Sequence, residues 1–126
     1  MPSVSVIIPT YNRASLVARA IRSVQVQTYE DWEVIVVDDA SNDDTEQVVR
    51  SIEDARVRYV RHETNRGGGA ARNTGVRASC SQYIAFLDSD DVWFPKKLKL
   101  QVRMMSDTSS SVSVVYCKHI IKNESE

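Results

Sequence analysis

The residues best suited to chemistry in this chain fall in four short clusters: Pro9-Thr10-Tyr11-Asn12-Arg13, Asp38-Asp39-Ala40-Ser41, Asn65 to Asn73, and Asp88-Ser89-Asp90-Asp91. The last sets three carboxylates within four residues, a costly arrangement in a packed domain unless a cation offsets their repulsion. Several oxygen donors and no thiolate suit Mg²⁺ or Mn²⁺, not zinc. Asp38 and Asp39 could cap a helix, but Ser41 and Asp43 stand nearer the following helical segment and serve that purpose better. The run Gly67-Gly68-Gly69 permits a close backbone approach into a helix N-terminus that can face an anion, with Arg72 and Asn73 on its first turns. It is not a dinucleotide fingerprint: it follows the third apolar run, not the first, and Arg72 stands where the last glycine belongs. Tyr11 is placed either to stack on a flat base or to pack in the core.

The elements that must position these clusters are legible as alternating apolar runs and helical periods. Strands are expected over 3–9, 32–39, 57–62, 82–91 and 111–119, as consecutive Val and Ile suit strands buried on both faces. Between them, Leu16, Val17, Ala20, Ile21 and Val24 mark a helix over 14–27, and Val48, Val49 and Ile52 mark one capped by Ser41 or Asp43. A third is expected from about Gly69 to Ser79, and a fourth after Pro95, with Leu98, Val102 and Met105 on one face. Repeated alternation implies right-handed crossovers and one α/β domain over residues 1–126: an open, mostly parallel sheet with helices on both faces. All four polar clusters then follow strands, at the carboxyl edge where such sheets bind ligands.

Composition narrows the partners. The chain has 126 residues, with 16 basic against 17 acidic side chains, so no field attracts nucleic acid or an anionic membrane. The N-terminus lacks the form of a signal peptide, and no apolar stretch is long enough for a membrane helix. Cys80 and Cys117 suggest buried thiols in a reducing, cytoplasmic setting. His62 and His119 lack zinc-site spacing and read as surface or turn residues. Trp32, Trp93 and Phe94 read as packing residues at element ends.

Taken in order, VSVIIPTYNR, VDDASNDDT, NRGGGAARNTG and FLDSDDVWFP resemble the family 2 glycosyltransferases of the GT-A, Rossmann-like fold, over almost the whole chain. The resemblance implies an inverting hexosyltransferase-type enzyme that binds a nucleoside diphosphate sugar, UDP-linked by preference, with Mn²⁺ or Mg²⁺. It implies that Pro9, Thr10 and Tyr11 help bind the nucleotide sugar, with Thr10 and Tyr11 lining the base pocket and Tyr11 stacking on the base. Asp39 would accept from the imide N–H of uracil or thymine, and Arg72 would lie beside the nucleotide. Asp88 would meet the ribose or diphosphate side with Ser89 next to it, and Asp90 would ligate the metal. The acceptor, a saccharide or lipid-linked hydroxyl, and the general base belong in this family to a second half beyond the fifth strand. The sequence ends at Glu126, and Glu124 and Glu126 are not nominated as the base. A truncated donor-binding part is therefore expected, inactive or slow in transfer, with self-association through an open sheet edge.

Two other classes fit less well. A signalling receiver domain wants its acidic pair after the first strand, a lone Asp after the third and a Lys after the fifth. Here those positions hold Pro9-Thr10, His62-Glu63 and, nearby, Lys118. A non-catalytic nucleotide-binding module differs from the first reading only in activity.

Overall fold

Runs of β-branched residues with no polar alternation can be buried only if both faces of the sheet are covered. The computed structural model, which describes residues 1–107 and 114–116, shows how this is done. Four strands, β1 (Val4–Thr10), β2 (Trp32–Asp38), β3 (Val57–Arg61) and β4 (Tyr83–Phe86), form one parallel sheet in the order β3-β2-β1-β4. They alternate with α1 (Ala14–Gln25), α2 (Thr45–Arg50), α3 (Gly68–Ala78) and α4 (Lys97–Asp107). The fifth strand expected over 111–119 lies largely outside the described residues; 114–116 are described and are not in a strand. Cys117, Lys118, His119, Glu124 and Glu126 also lie outside them.

The strand order has a direct consequence. The chain moves outward from β1 to β2 to β3, then returns across the sheet to place β4 beside β1. Crossovers of one hand must change face when the direction of travel reverses. Accordingly α1, α2 and α4 supply Val17, Ala20, Ile21, Val24, Val49 and Leu98 to one core, with Val4, Val6, Ile8, Val34 and Val36. On the other face, Ala71 of α3 packs with Ile7, Ile35 and Val37. The reversal opens a crevice between the carboxyl ends of β1 and β4. A flavodoxin-like order, which a receiver domain would show, places β1 beside β3 instead.

The seat of α3 is unusually close. A Cβ added at Gly75 would lie 2.3 Å from Cγ2 of Ile7, itself fully buried. Gly75→Ala is expected to lower stability by about 2–3 kcal/mol, because neither backbone nor the branched side chain can yield cheaply. A urea titration checks this; an unchanged midpoint would show that α3 can lift off β1 without cost.

Two packing expectations need correction. Cys80 is exposed rather than buried, as it lies in the turn between α3 and β4. Phe94 is 68% exposed: its backbone carbonyl accepts Nε2 of Gln27, while the ring has no place in the core. Trp32 is buried and stacked under the Arg56 guanidinium, and Trp93 packs against the larger core. No helix among the described residues is long and apolar enough to cross a membrane.

Candidate functional site: a cleft at the sheet switch point

Because every strand runs the same way, every strand end delivers its following loop to one edge. There a cleft of about 340 Å³ is lined by Pro9, Thr10, Tyr11 and Arg13 after β1 and by Asp39 after β2. Gly68, Ala71 and Arg72 of α3 and Asp88, Ser89 and Asp90 after β4 complete it. All eight residues nominated from sequence lie on this one surface. Arg13, Gly68 and Ala71 join them, and of these Arg13 adds a second guanidinium.

Strand alternation assigns the two acids after β2 to different tasks. Asp38 shares the parity of Val34 and Val36 and points to the α1/α2 side, fully buried. Its Oδ1 accepts the Ser41 amide at 2.9 Å; its Oδ2 accepts Nη1 of Arg61 at 3.0 Å and the Tyr59 hydroxyl. It is therefore a structural tie between β2, β3 and the loop, outside the cleft lining. Asp39 shares the parity of Ile35 and Val37 and points to the α3 side. Its backbone N–H still donates to the Thr10 carbonyl at 2.9 Å, so the ladder itself carries it to the cleft.

The loops after β1 and β2 are latched together. The Asn12 amide donates to Ser41 Oγ at 2.9 Å, and Asn12 Oδ1 accepts the Asn42 amide at 2.8 Å. Asn12 adopts a φ of 52°, a conformation asparagine tolerates. Asp43 accepts the amides of Ala14 and Thr45, serving the starts of α1 and α2 at once. Ser41, the other expected cap, is used in the latch instead.

The Asp39 carboxylate is organised from three sides. Oδ1 accepts Nδ1–H of His62 and the Arg66 amide, each at 2.8 Å, and Oδ2 accepts the Gly67 amide at 2.8 Å. Burial pushes its pKa up, but the hydrogen bonds from His62, Arg66 and Gly67 outweigh that and hold it below the ordinary carboxylate value. Gly67 has a φ of 95° and a ψ of 163°, a region essentially closed to other residues, and it turns the chain into α3. That is why a glycine stands here. His62 was expected as a surface or turn residue; it is instead buried at the end of β3, bridging Asp39 to Thr74 Oγ1 of α3 at 2.8 Å from Nε2. The signal available was its position at the strand-end edge shared by the other clusters.

Across the cleft, the Asp91 amide donates to the Asp88 carbonyl at 3.0 Å, closing a turn that brings the acids of Asp88, Asp90 and Asp91 together. One oxygen from each can lie within 4.8 Å of the others, a hard donor set that fits a divalent cation. All three are exposed, so water solvates them and the repulsion argued from sequence is smaller than in a packed interior. Asp88 also pairs with Nη2 of Arg72 at 2.9 Å, and Nη2 of Arg19 on α1 holds the Asp90 carbonyl at 2.9 Å. Tyr11 is 43% exposed on the opposite wall, with its ring free of the core.

Fold and cleft together define an open, doubly wound α/β domain whose ligand crevice sits at the switch point of the sheet. The family model for glycosyl transferase family 2 matches residues 5–126, and the chain belongs to that family. Among curated relatives, it is 40% identical over 123 residues to the Escherichia coli UDP-Glc:alpha-D-GlcNAc-diphosphoundecaprenol beta-1,3-glucosyltransferase WfgD, covering 97% of this chain and 48% of that protein. It is also 40% identical over 114 residues to the putative teichuronic acid biosynthesis glycosyltransferase TuaG of Bacillus subtilis strain 168, covering 89% of this chain and 45% of that one. The chain thus spans less than half the length of either relative.

Among solved structures, S. aureus TarS residues 1–349 in complex with UDP-GlcNAc superposes with a TM-score of 0.79 at 32% identity, over 83% of this chain and 31% of that one. The mannosyltransferase PcManGT from Pyrobaculum calidifontis, in complex with GDP-Man and Mn²⁺, gives 0.78 at 33% identity, over 84% and 33%. The domain has the GT-A fold.

Proposed function

We propose that the cleft holds a nucleoside diphosphate sugar, UDP-linked by preference, and that the protein transfers its sugar, with inversion, to a hydroxyl of a saccharide or lipid-linked acceptor. The observation that carries this is the gathering of an aromatic ring, a buried acceptor carboxylate, two guanidiniums and a triple acidic turn around one switch-point cleft. Tyr11 offers a stacking face for the base. Asp39 Oδ2 accepts only one hydrogen bond among the described residues, so a lone pair remains for the imide N–H of uracil. Arg13, Arg72 and the first amides of α3 face the diphosphate with positive potential.

Asp90, with Asp88 or Asp91 beside it, would hold Mn²⁺ or Mg²⁺. When bound, such an ion stabilises the charge that grows on the leaving diphosphate as its bond to the anomeric carbon breaks. Arg19 keeps the acidic turn anchored to α1, and Arg72 holds Asp88 toward the cleft. The relatives support this reading: one is named for a UDP-Glc donor, and the solved neighbours hold UDP-GlcNAc or GDP-Man with Mn²⁺.

Calorimetric titration of UDP into the 126-residue chain tests it. Binding is expected with Mn²⁺ and to weaken at least about tenfold in EDTA, as the diphosphate then faces unscreened carboxylates. UDP, GDP and dTDP all failing to bind with Mn²⁺ present would contradict the proposal.

A further inference from the structure

Resting on the donor-site reading above, we infer that His62 is a positioning residue for base selection, holding Asp39 so that one carboxylate lone pair faces the base. The Asp39 side chain has two rotatable bonds to fix. Oδ1 is saturated by the His62 imidazole and the Arg66 amide, while Oδ2 has the Gly67 amide alone. The backbone donors fix where the carboxylate sits. The imidazole, arriving from β3, fixes which oxygen is used up and therefore which one is left for a ligand.

The imidazole is itself held. An ionised Asp39 can only accept, so Nδ1 carries the hydrogen. Nε2 then pairs with the Thr74 hydroxyl, 2.8 Å away. The chain of bonds Thr74–His62–Asp39 joins α3, the end of β3 and the end of β2, with Asp39 and His62 buried and Thr74 partly so. The apolar cluster on this face is formed separately, by Ile7, Ile35, Val37 and Ala71.

The chemistry selected follows from the acceptor. Uracil presents an N–H at ring position N3, which an aligned carboxylate lone pair accepts. Cytosine presents a ring-nitrogen lone pair there, which the same carboxylate repels. A well-aligned Asp39 therefore separates UDP from CDP, whereas a loosened one does not.

The test compares UDP and CDP affinity, with Mn²⁺, in the wild-type chain and three variants. His62→Asn places an amide N–H near the Nδ1 position and is expected to keep the UDP/CDP ratio within about threefold of wild type. His62→Gln places its amide near Nε2, leaves Asp39 without that donor, and is expected to lower the ratio about tenfold. Thr74→Val, a near-isosteric loss of the hydroxyl, is expected to lower it by a smaller factor and carries the test if His62→Gln does not fold. Thermal midpoints are measured alongside, since a purely structural role would move them while leaving the ratio alone. An unchanged ratio in folded His62→Gln, or in Thr74→Val if the former is unfolded, overturns the inference and leaves the donor site standing. Failure of the wild type to bind UDP overturns both.

Discussion

Asp90→Ala is expected to lose at least about a hundredfold in Mn²⁺-dependent UDP affinity while keeping its fold. The carboxylate is exposed and, among the described residues, makes no hydrogen bond or ion pair of its own; the Arg19 anchor uses the Asp90 backbone carbonyl, which the substitution retains. Loss of affinity therefore reports on cation binding and not on a collapsed turn. Asp88→Ala removes both a candidate ligand and the partner of Arg72, so its effect mixes two causes. The Asp90 variant is the cleaner probe, and its affinity in EDTA should match that of the wild type in EDTA. Equal Mn²⁺-dependent affinity in the two proteins would remove Asp90 from the site.

Asp38→Ala is expected to show the opposite pattern, a stability loss of about 3 kcal/mol with the cleft residues themselves intact. Removing one partner of a buried ion pair costs roughly 3–5 kcal/mol when the other is stranded in the interior. Here Arg61 is 39% exposed and can turn to water, which favours the lower end. The buried Ser41 amide has no such escape, and the part-buried Tyr59 hydroxyl loses its acceptor. Burial and the bond to Asp38 push the Tyr59 pKa up to about 12, so the hydroxyl keeps its proton and its need for an acceptor. Asp38→Asn retains a carbonyl oxygen and should cost about half as much. Chemical denaturation of the three proteins checks this; a loss under about 1 kcal/mol in the alanine variant would mean that the network relaxes.

The contrast between these neighbouring acids shows what was and was not legible in the sequence. A parallel sheet was readable because Val and Ile runs without polar alternation demand cover on both faces, and that architecture sends all strand ends to one edge. That placed the four polar clusters together; choosing Pro9, Thr10, Tyr11, Asp39, Arg72, Asp88, Ser89 and Asp90 within them rested on the family resemblance, and one cleft holds them all. Telling Asp38 from Asp39 required knowing which face α3 would cover, which the reversal at β4 decides.

His62 was missed for a related reason. A lone histidine has no spacing signature, and its partners Asp39 and Thr74 are distant in sequence and converge only after the third crossover. The acidic turn was recognised by its composition, but its exposure was not foreseen, and with exposure goes much of the electrostatic penalty argued for it. Phe94 and Cys80 were misjudged because residue type alone places aromatic and thiol groups inside, whereas both fall in loops after an element has ended.

The most direct test of the central claim, that one switch-point cleft holds nucleotide and cation together, is residue-resolved NMR on the isotopically labelled chain. UDP with Mg²⁺ should shift the amides of Thr10, Tyr11, Asp39, Gly67 and Gly68, and trace paramagnetic Mn²⁺ should broaden Asp88 to Asp91 first. Shifts confined to amides outside the cleft, or broadening spread over acidic residues remote from the turn, would contradict the account.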